Sequence, residues 1–142
     1  MSSLWSMMTR QPTQQDYQTL AAFRLGLRRF FDFSVRAAGA AGVAPQQYQA
    51  LLAIKGFEGD TPPSISDLAE RLLIRQHTAV ELAKRLDGAG LIRRQRDVQD
   101  RRVVQLRLTP KAEEVMAGLA GVHLEELRLM APGLAALLRR LG

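Results

Sequence analysis

The chain has 142 residues, no cysteine, an apolar share of 46% and a formal net charge of +6, with a pI near 10.7. Its length fits one domain or one compact pair of lobes. The missing cysteines exclude a disulfide framework, a thiolate metal site and a thiol redox switch. No apolar run approaches the ~20 residues that a bilayer requires, and the N-terminus lacks the basic-then-apolar order of a signal peptide, so a cytoplasmic protein with an anionic partner is expected.

Residues 1–12, rich in Ser, Met and Gln and ending at Pro12, read as a frayed arm. From Thr13 to Ala38, Leu20, Phe23, Leu27, Phe31, Val35 and Ala38 recur at spacings of three or four, which predicts a helix with one apolar face. The glycines of AGAAGV (38–43) predict its end. Pro45 suits the first turn of a second helix over about 45–55, carrying Tyr48, Leu51, Leu52 and Ile54. A loop follows (56–64), with Ser64–Ile65 a candidate short strand.

Ser66 is the expected cap of a third helix, whose buried side would be Leu68, Ala69, Leu72 and Leu73. After a turn at Ile74–Arg75, a fourth helix runs to about Asp87 with Ala79, Leu82, Ala83 and Leu86 facing inward. GAG (88–90) ends it. Leu91–Arg96 and Val103–Leu108 alternate as paired strands do, around a charged turn. Thr109–Pro110 starts a long helix marked by Val115, Leu119, Val122, Leu127 and Met130. APG (131–133) is expected to interrupt it before a last short helix with Leu134, Leu137, Leu138 and Leu141. The fold class predicted is mainly α with a small β-wing: a winged helix-turn-helix of six helices, dimeric.

Charge follows the same order. Residues 75–107 hold nine Lys or Arg against four Asp or Glu, so +5 of the net +6 lies on one helix and one ribbon. Helix, turn, helix, ribbon is the order of a winged helix-turn-helix, whose second helix enters the major groove of DNA. Arg75, Gln76, His77 and Thr78 would face base edges with Val80 beside them, while Lys84 and Arg85 would hold phosphate. His77 could instead be a plain helix-start residue, and Thr78 could equally pack on the preceding helix. At the ribbon tip, Asp100, Arg101 and Arg102 suit a narrow minor groove if the aspartate orients an arginine.

The flanking helices have more apolar surface than a reading head of residues 64–108 can cover. The expected division is therefore a helical dimerisation region, 13–40 with 110–142, around a DNA-binding region, 44–108. A second copy would match two-fold symmetric operators.

AGVAPQQYQALLAIKG (41–56), ISDLAERLLIRQHTAVELAKRLDGAGLI (65–92) and DVQDRRVVQLRLTPKA (97–112) together resemble the MarR family of bacterial transcriptional regulators. The resemblance implies a homodimer binding a palindromic operator in double-stranded DNA, usually as a repressor, and associated with the nucleoid when bound. It implies minor-groove contact by Arg102 oriented by Asp100, with Arg101 on the backbone. It also implies release by a small aromatic or anionic effector, for which Arg24, Arg28 and Tyr48 are the candidate polar groups; the two arginines could instead be merely solvated. Peroxide sensing through a family cysteine is excluded. No metal or cofactor is expected, because His77 and His123 lie on different elements. No acid–base pair, nucleophile motif or phosphate loop points to an enzyme. The alternative function is a winged-helix module that binds protein without specific DNA recognition.

Overall fold

The computed structural model describes residues 11–142. The arm expected over residues 1–12 falls, up to residue 10, outside them. Five helices and a two-stranded ribbon follow in chain order: α1 (Gln14–Ala40), α2 (Pro45–Lys55), α3 (Ile65–Leu72), α4 (Gln76–Gly88), β1 (Ile92–Arg96), β2 (Val104–Leu108) and α5 (Pro110–Arg139). The protein is a mainly helical winged helix-turn-helix. It divides into two compact units, one taking the chain up to Phe33 and from Leu124 onward, the other Ser34–His123.

In the Ser34–His123 unit, the largest fully buried side chains are Leu51, Leu68, Leu86, Ile92 and Leu106. Each comes from a different element, so α2, α3, α4 and both strands close on one core. Burying such a side chain stabilises the fold by about 1.5–3 kcal/mol. The strands pair antiparallel with Ile92 opposite Leu108, Arg94 opposite Leu106 and Arg96 opposite Val104. The segment before α3 ties to the same ribbon: Leu106 N–H donates to the Pro63 carbonyl at 2.8 Å, and Ser64 bridges Gln105. The short strand expected at Ser64–Ile65 is thus a single bridge, and Ile65 already belongs to α3.

The cap of α3 is Ser64, not Ser66. Ser64 Oγ accepts from Asp67 N–H at 3.1 Å while Asp67 Oδ2 accepts from Ser64 N–H at 2.8 Å. This reciprocal pair satisfies two backbone donors at once. Ser66, two residues further in, is left free to donate to the Gln76 Oε1 of α4 at 3.3 Å. α5 starts as expected: Thr109 Oγ1 accepts from Ala112 N–H at 3.2 Å and donates to the Gly90 carbonyl at 2.6 Å. That second bond fastens α5 to the glycine turn after α4, where Gly90 takes a positive φ of 74°.

Other expectations are corrected by packing. α1 continues through Gly39 to Ala40 and turns at Gly42, whose φ is 75°. On α2 the inward side is Tyr48, Ala50, Leu51 and Ile54, with Leu52 half exposed. The buried stripe of α5 is Ala112, Met116, Leu119 and His123, offset from the one expected.

The unit built on the start of α1 and the end of α5 is sparser. Leu137 and Thr19 are buried there, and Leu137 lines a largely apolar cleft of about 460 Å³ between Phe23, Gly26, Met130 and Leu134. α5 does not break at APG, so there are five helices among the described residues rather than six. Pro132 lies inside the helix and is exposed. The backbone carbonyl it leaves without a partner can therefore bond water, which makes the proline tolerable. Leu20, Phe31 and Val35 of α1 stay more than half exposed in the single chain. No helix among the described residues is long and apolar enough to cross a membrane.

The turn between α3 and α4 holds the least expected residue. Leu73 adopts φ 56° and ψ 42°, a left-handed conformation disfavoured for a side chain with a Cβ, and it is 92% exposed instead of buried. The turn needs this conformation so that Ile74 N–H can donate to the Ala69 carbonyl at 3.0 Å and close the helix end. Leu73→Gly should therefore relieve strain and lose almost no packing. The expected gain is about 0.5–1 kcal/mol after allowing for a more flexible unfolded chain. Urea unfolding should show a higher midpoint at unchanged slope, and a lower midpoint would contradict the argument.

Candidate nucleic-acid interface

On α4, Ala79, Leu82, Ala83 and Leu86 are buried, which turns the opposite face to solvent. His77, Glu81, Lys84 and Arg85 are exposed there, with Arg75 and Gln76 at the leading end. Thr78 and Val80 are half-buried, and Val80 packs against the core cluster. The cap residue, Arg75, makes no side-chain bond to the helix, so the first backbone N–H groups of α4 have no side-chain acceptor. Those groups and the helix dipole together favour an anion. Gln76 keeps its amide N–H₂ available while its oxygen receives Ser66. Lys84 meets Glu81 at 3.5 Å, an exposed pair of small energetic weight.

The wing turn is built by aspartates. Asp97 Oδ1 accepts from the backbone N–H of Gln99 at 2.7 Å and of Asp100 at 3.1 Å, while its Oδ2 accepts from Gln105 Nε2 at 3.0 Å. Asp97 N–H donates to the Val103 carbonyl at 2.9 Å, closing the loop. Asp100 then holds Arg102 with both oxygens, Nε to Oδ1 at 3.1 Å and a terminal nitrogen to Oδ2 at 3.2 Å, and also accepts from Arg102 backbone N–H. The Arg102 side chain is 91% exposed yet has a fixed direction. The Arg102 guanidinium, followed by its backbone N–H, lowers the Asp100 carboxyl below its ordinary range.

Sequence reasoning missed three polar contacts of this head. Arg94 Nε meets Asp87 Oδ2 at 2.8 Å, joining β1 to the last turn of α4. Arg96 donates to the Arg101 carbonyl at 2.8 Å, so Arg101 is held by its backbone while its side chain is exposed. Lys55 pairs with Glu113 at 2.9 Å and links α2 to α5. The strand alternation that put Arg94 and Arg96 on one face was visible in the sequence; their partners were not.

The candidate effector groups are dispersed between the two units. Arg24 and Arg28 are exposed on α1 in one. Tyr48 belongs to the other and is only 4% exposed, packed with Ala38, Val43 and Leu119. Its ring stacks on His123 at 4.8 Å, and burial raises its phenol above the ordinary tyrosine value. His123, which sequence reasoning considered only as a metal ligand, is itself buried, with Nδ1 at 2.7 Å from the Leu119 carbonyl and Nε2 at 2.9 Å from Ser34 Oγ. Among the described residues no group of three His, Asp or Glu could hold a metal ion.

An exposed basic helix, a strained helix-turn-helix corner and a wing arginine clamped by aspartate now stand together in one unit. Residues 41–103, most of that unit, match the profile of the MarR family. This region is similar to the MarR family. Among curated relatives, it is 32% identical over 101 residues to the HTH-type transcriptional regulator TtmR of Methylorubrum extorquens (strain PA1), covering 64% of this chain and 50% of that protein. It is 37% identical over 81 residues to the HTH-type transcriptional repressor MdtR of Bacillus subtilis (strain 168), covering 54% and 50%. The chain thus spans about half the length of these curated relatives. Its fold resembles that of the transcriptional repressor CouR bound to a 23-mer DNA duplex, with a TM-score of 0.70 at 24% identity over 94% of this chain and 96% of that one.

Within this head, the Asp100–Arg102 pair sets a pH dependence. Because the folded value of Asp100 is depressed, the pair is complete above the ordinary aspartate range and is lost as pH falls through that depressed value. A carbon-detected NMR titration should find Asp100 titrating below the ordinary range and moving back up in Arg102→Gln. A midpoint indifferent to the substitution would break the assignment.

Proposed function

We propose that this chain is a homodimeric, sequence-specific DNA-binding transcriptional regulator, acting as a repressor that a small ligand releases. The observation that carries the reading is the exposed basic face of α4 together with the exposed Arg102 of the wing, already oriented by Asp100. An α-helix fits the major groove, and an arginine of fixed direction fits the narrow minor groove beside it. Arg75, Gln76, His77 and Thr78 read base edges, with the exposed part of Val80 against a thymine methyl group. Lys84, Arg85 and Arg101 hold phosphate, and Arg102 enters the minor groove. The regulator and repressor names of the two curated relatives support the same reading.

The dimer assignment, through residues 13–40 and 110–142, is supported by exposed apolar side chains on both long helices. Leu20, Phe31 and Val35 lie on α1, and Val122, Leu127 and Leu129 on α5. Burying them against a second copy would be worth roughly 25 cal/mol per Å² of apolar surface and would set two heads ~34 Å apart on a palindrome. An aromatic or anionic effector would act by favouring a head spacing that no longer matches successive grooves. Arg24 and Arg28, exposed and without an ion pair among the described residues, have charge to offer it. The working compartment is the cytoplasm, at the nucleoid when bound.

A mobility-shift assay on the DNA upstream of the protein's own gene should give a specific shift at moderate salt, and no shift would sink the reading. Arg102→Ala should weaken that shift by about tenfold to a hundredfold, the range of one lost groove contact, with the sedimenting species still a dimer. Sedimentation as a monomer at micromolar concentration would remove the dimer.

A further inference from the structure

A cleft of about 440 Å³ opens between α4 and the wing, floored by Ile65, Val80 and Val104 and rimmed by Lys84, Arg94 and Arg96. Period-two alternation places Arg94 and Arg96 on the same face of β1 as Ile92, whose side chain is in the core. Arg94 is held by Asp87 at 2.8 Å and Arg96 by the Arg101 carbonyl at 2.8 Å. Each bond uses one of the five N–H donors of a guanidinium. The remaining donors are unassigned, and both arginines are exposed.

We propose that this cleft seats the phosphodiester backbone lying between the two grooves the head enters, with Arg94 and Arg96 as its phosphate contacts. The inference rests on the DNA-binding reading above and adds two residues to it. A single sugar–phosphate strand separates a major groove from the minor groove next to it. A head with α4 in one and the wing tip in the other must straddle that strand, and it passes through the space between α4 and β1. That space is rimmed by three cations, so its charge suits the strand that must occupy it. Asp87 is a positioning residue: it offsets one charge but holds the Arg94 fork in a single orientation, which lowers the ordering cost on binding.

The test uses the intact protein and a random-sequence duplex of about 30 base pairs, with affinity followed by fluorescence anisotropy between roughly 50 and 200 mM salt. Because each neutralised phosphate contributes about 0.9 to the slope of log affinity against log salt, Arg94→Gln/Arg96→Gln should flatten the slope by roughly 1.8 and weaken binding at least about tenfold. Arg94→Lys/Arg96→Lys should keep most of the slope, since charge is retained. Arg96→Gln alone, which touches only an exposed loop carbonyl, should flatten it by roughly 0.9 and leave the thermal melt unchanged. If the wild-type protein binds and the glutamine variants keep its slope, the cleft assignment is overturned and the DNA-binding reading stands. If the wild-type protein binds no duplex, the DNA-binding reading falls and takes this one with it.

Discussion

The roll of α4 about its own axis is the constraint on which the reading head depends. Ala79, Leu82, Ala83 and Leu86 sit within 2% exposure and meet Leu68, Ile92 and Leu106 in one cluster. Two of the four are alanines, which lets α3 and the ribbon approach closely on either side of the leucines. A helix has one face to give away. With this one committed inward, His77, Glu81, Lys84 and Arg85 have no choice but to face solvent. The same core fixes the wing, because Ile92 and Leu106 are the strand residues that seat it. The positions of the basic groups therefore follow from apolar contacts beneath them and not from any attraction among themselves.

Aspartates finish what the core begins. Asp67 closes the cap of α3, Asp87 ties β1 to α4, Asp97 folds the wing turn, and Asp100 aims Arg102. Each is bound to backbone N–H groups, a side-chain amide or a guanidinium. Spent in this way, the acidic residues organise the surface while the net charge of residues 75–107 remains strongly positive. Bidentate or multiple bonds from a carboxylate are directional, so these residues decide where arginines point as well as how many there are. The proposed backbone cleft is the place where two such devices, the Asp87 strut and the wing turn, bring charge to one groove.

The proposed dimer would answer a different physical need. A single chain leaves Leu20, Phe31, Val35 and Leu129 exposed, together with an apolar cleft between Phe23 and Leu134. Among the described residues there is no further segment to cover them. In the proposed assembly a second copy removes this surface from water, and its symmetry would be the symmetry of the operator.

Local pattern was enough to place both ends of α1 to α4 and the start of α5 within about two residues, the ribbon, the inward face of α4 and the concentration of positive charge. These depend on periodicity, caps and composition, which are properties of neighbours in the chain. The sequence also carried the acidic–basic order of the wing, whose Asp100 and Arg102 are two residues apart and can only meet locally. Tertiary structure decided the rest. Ser64 outcompeted Ser66 as the cap because the Pro63–Ser64 backbone is pinned to β2. Leu73 was forced outward by a left-handed turn that apolar spacing cannot reveal. α5 ran through Pro132 because that proline faces water. The Arg94–Asp87 strut, the Ser66–Gln76 bond and the Tyr48–His123–Ser34 cluster join residues from 7 to 89 positions apart. Partners so distant are chosen by how the elements pack, and nothing in the order of residues along the chain states that choice.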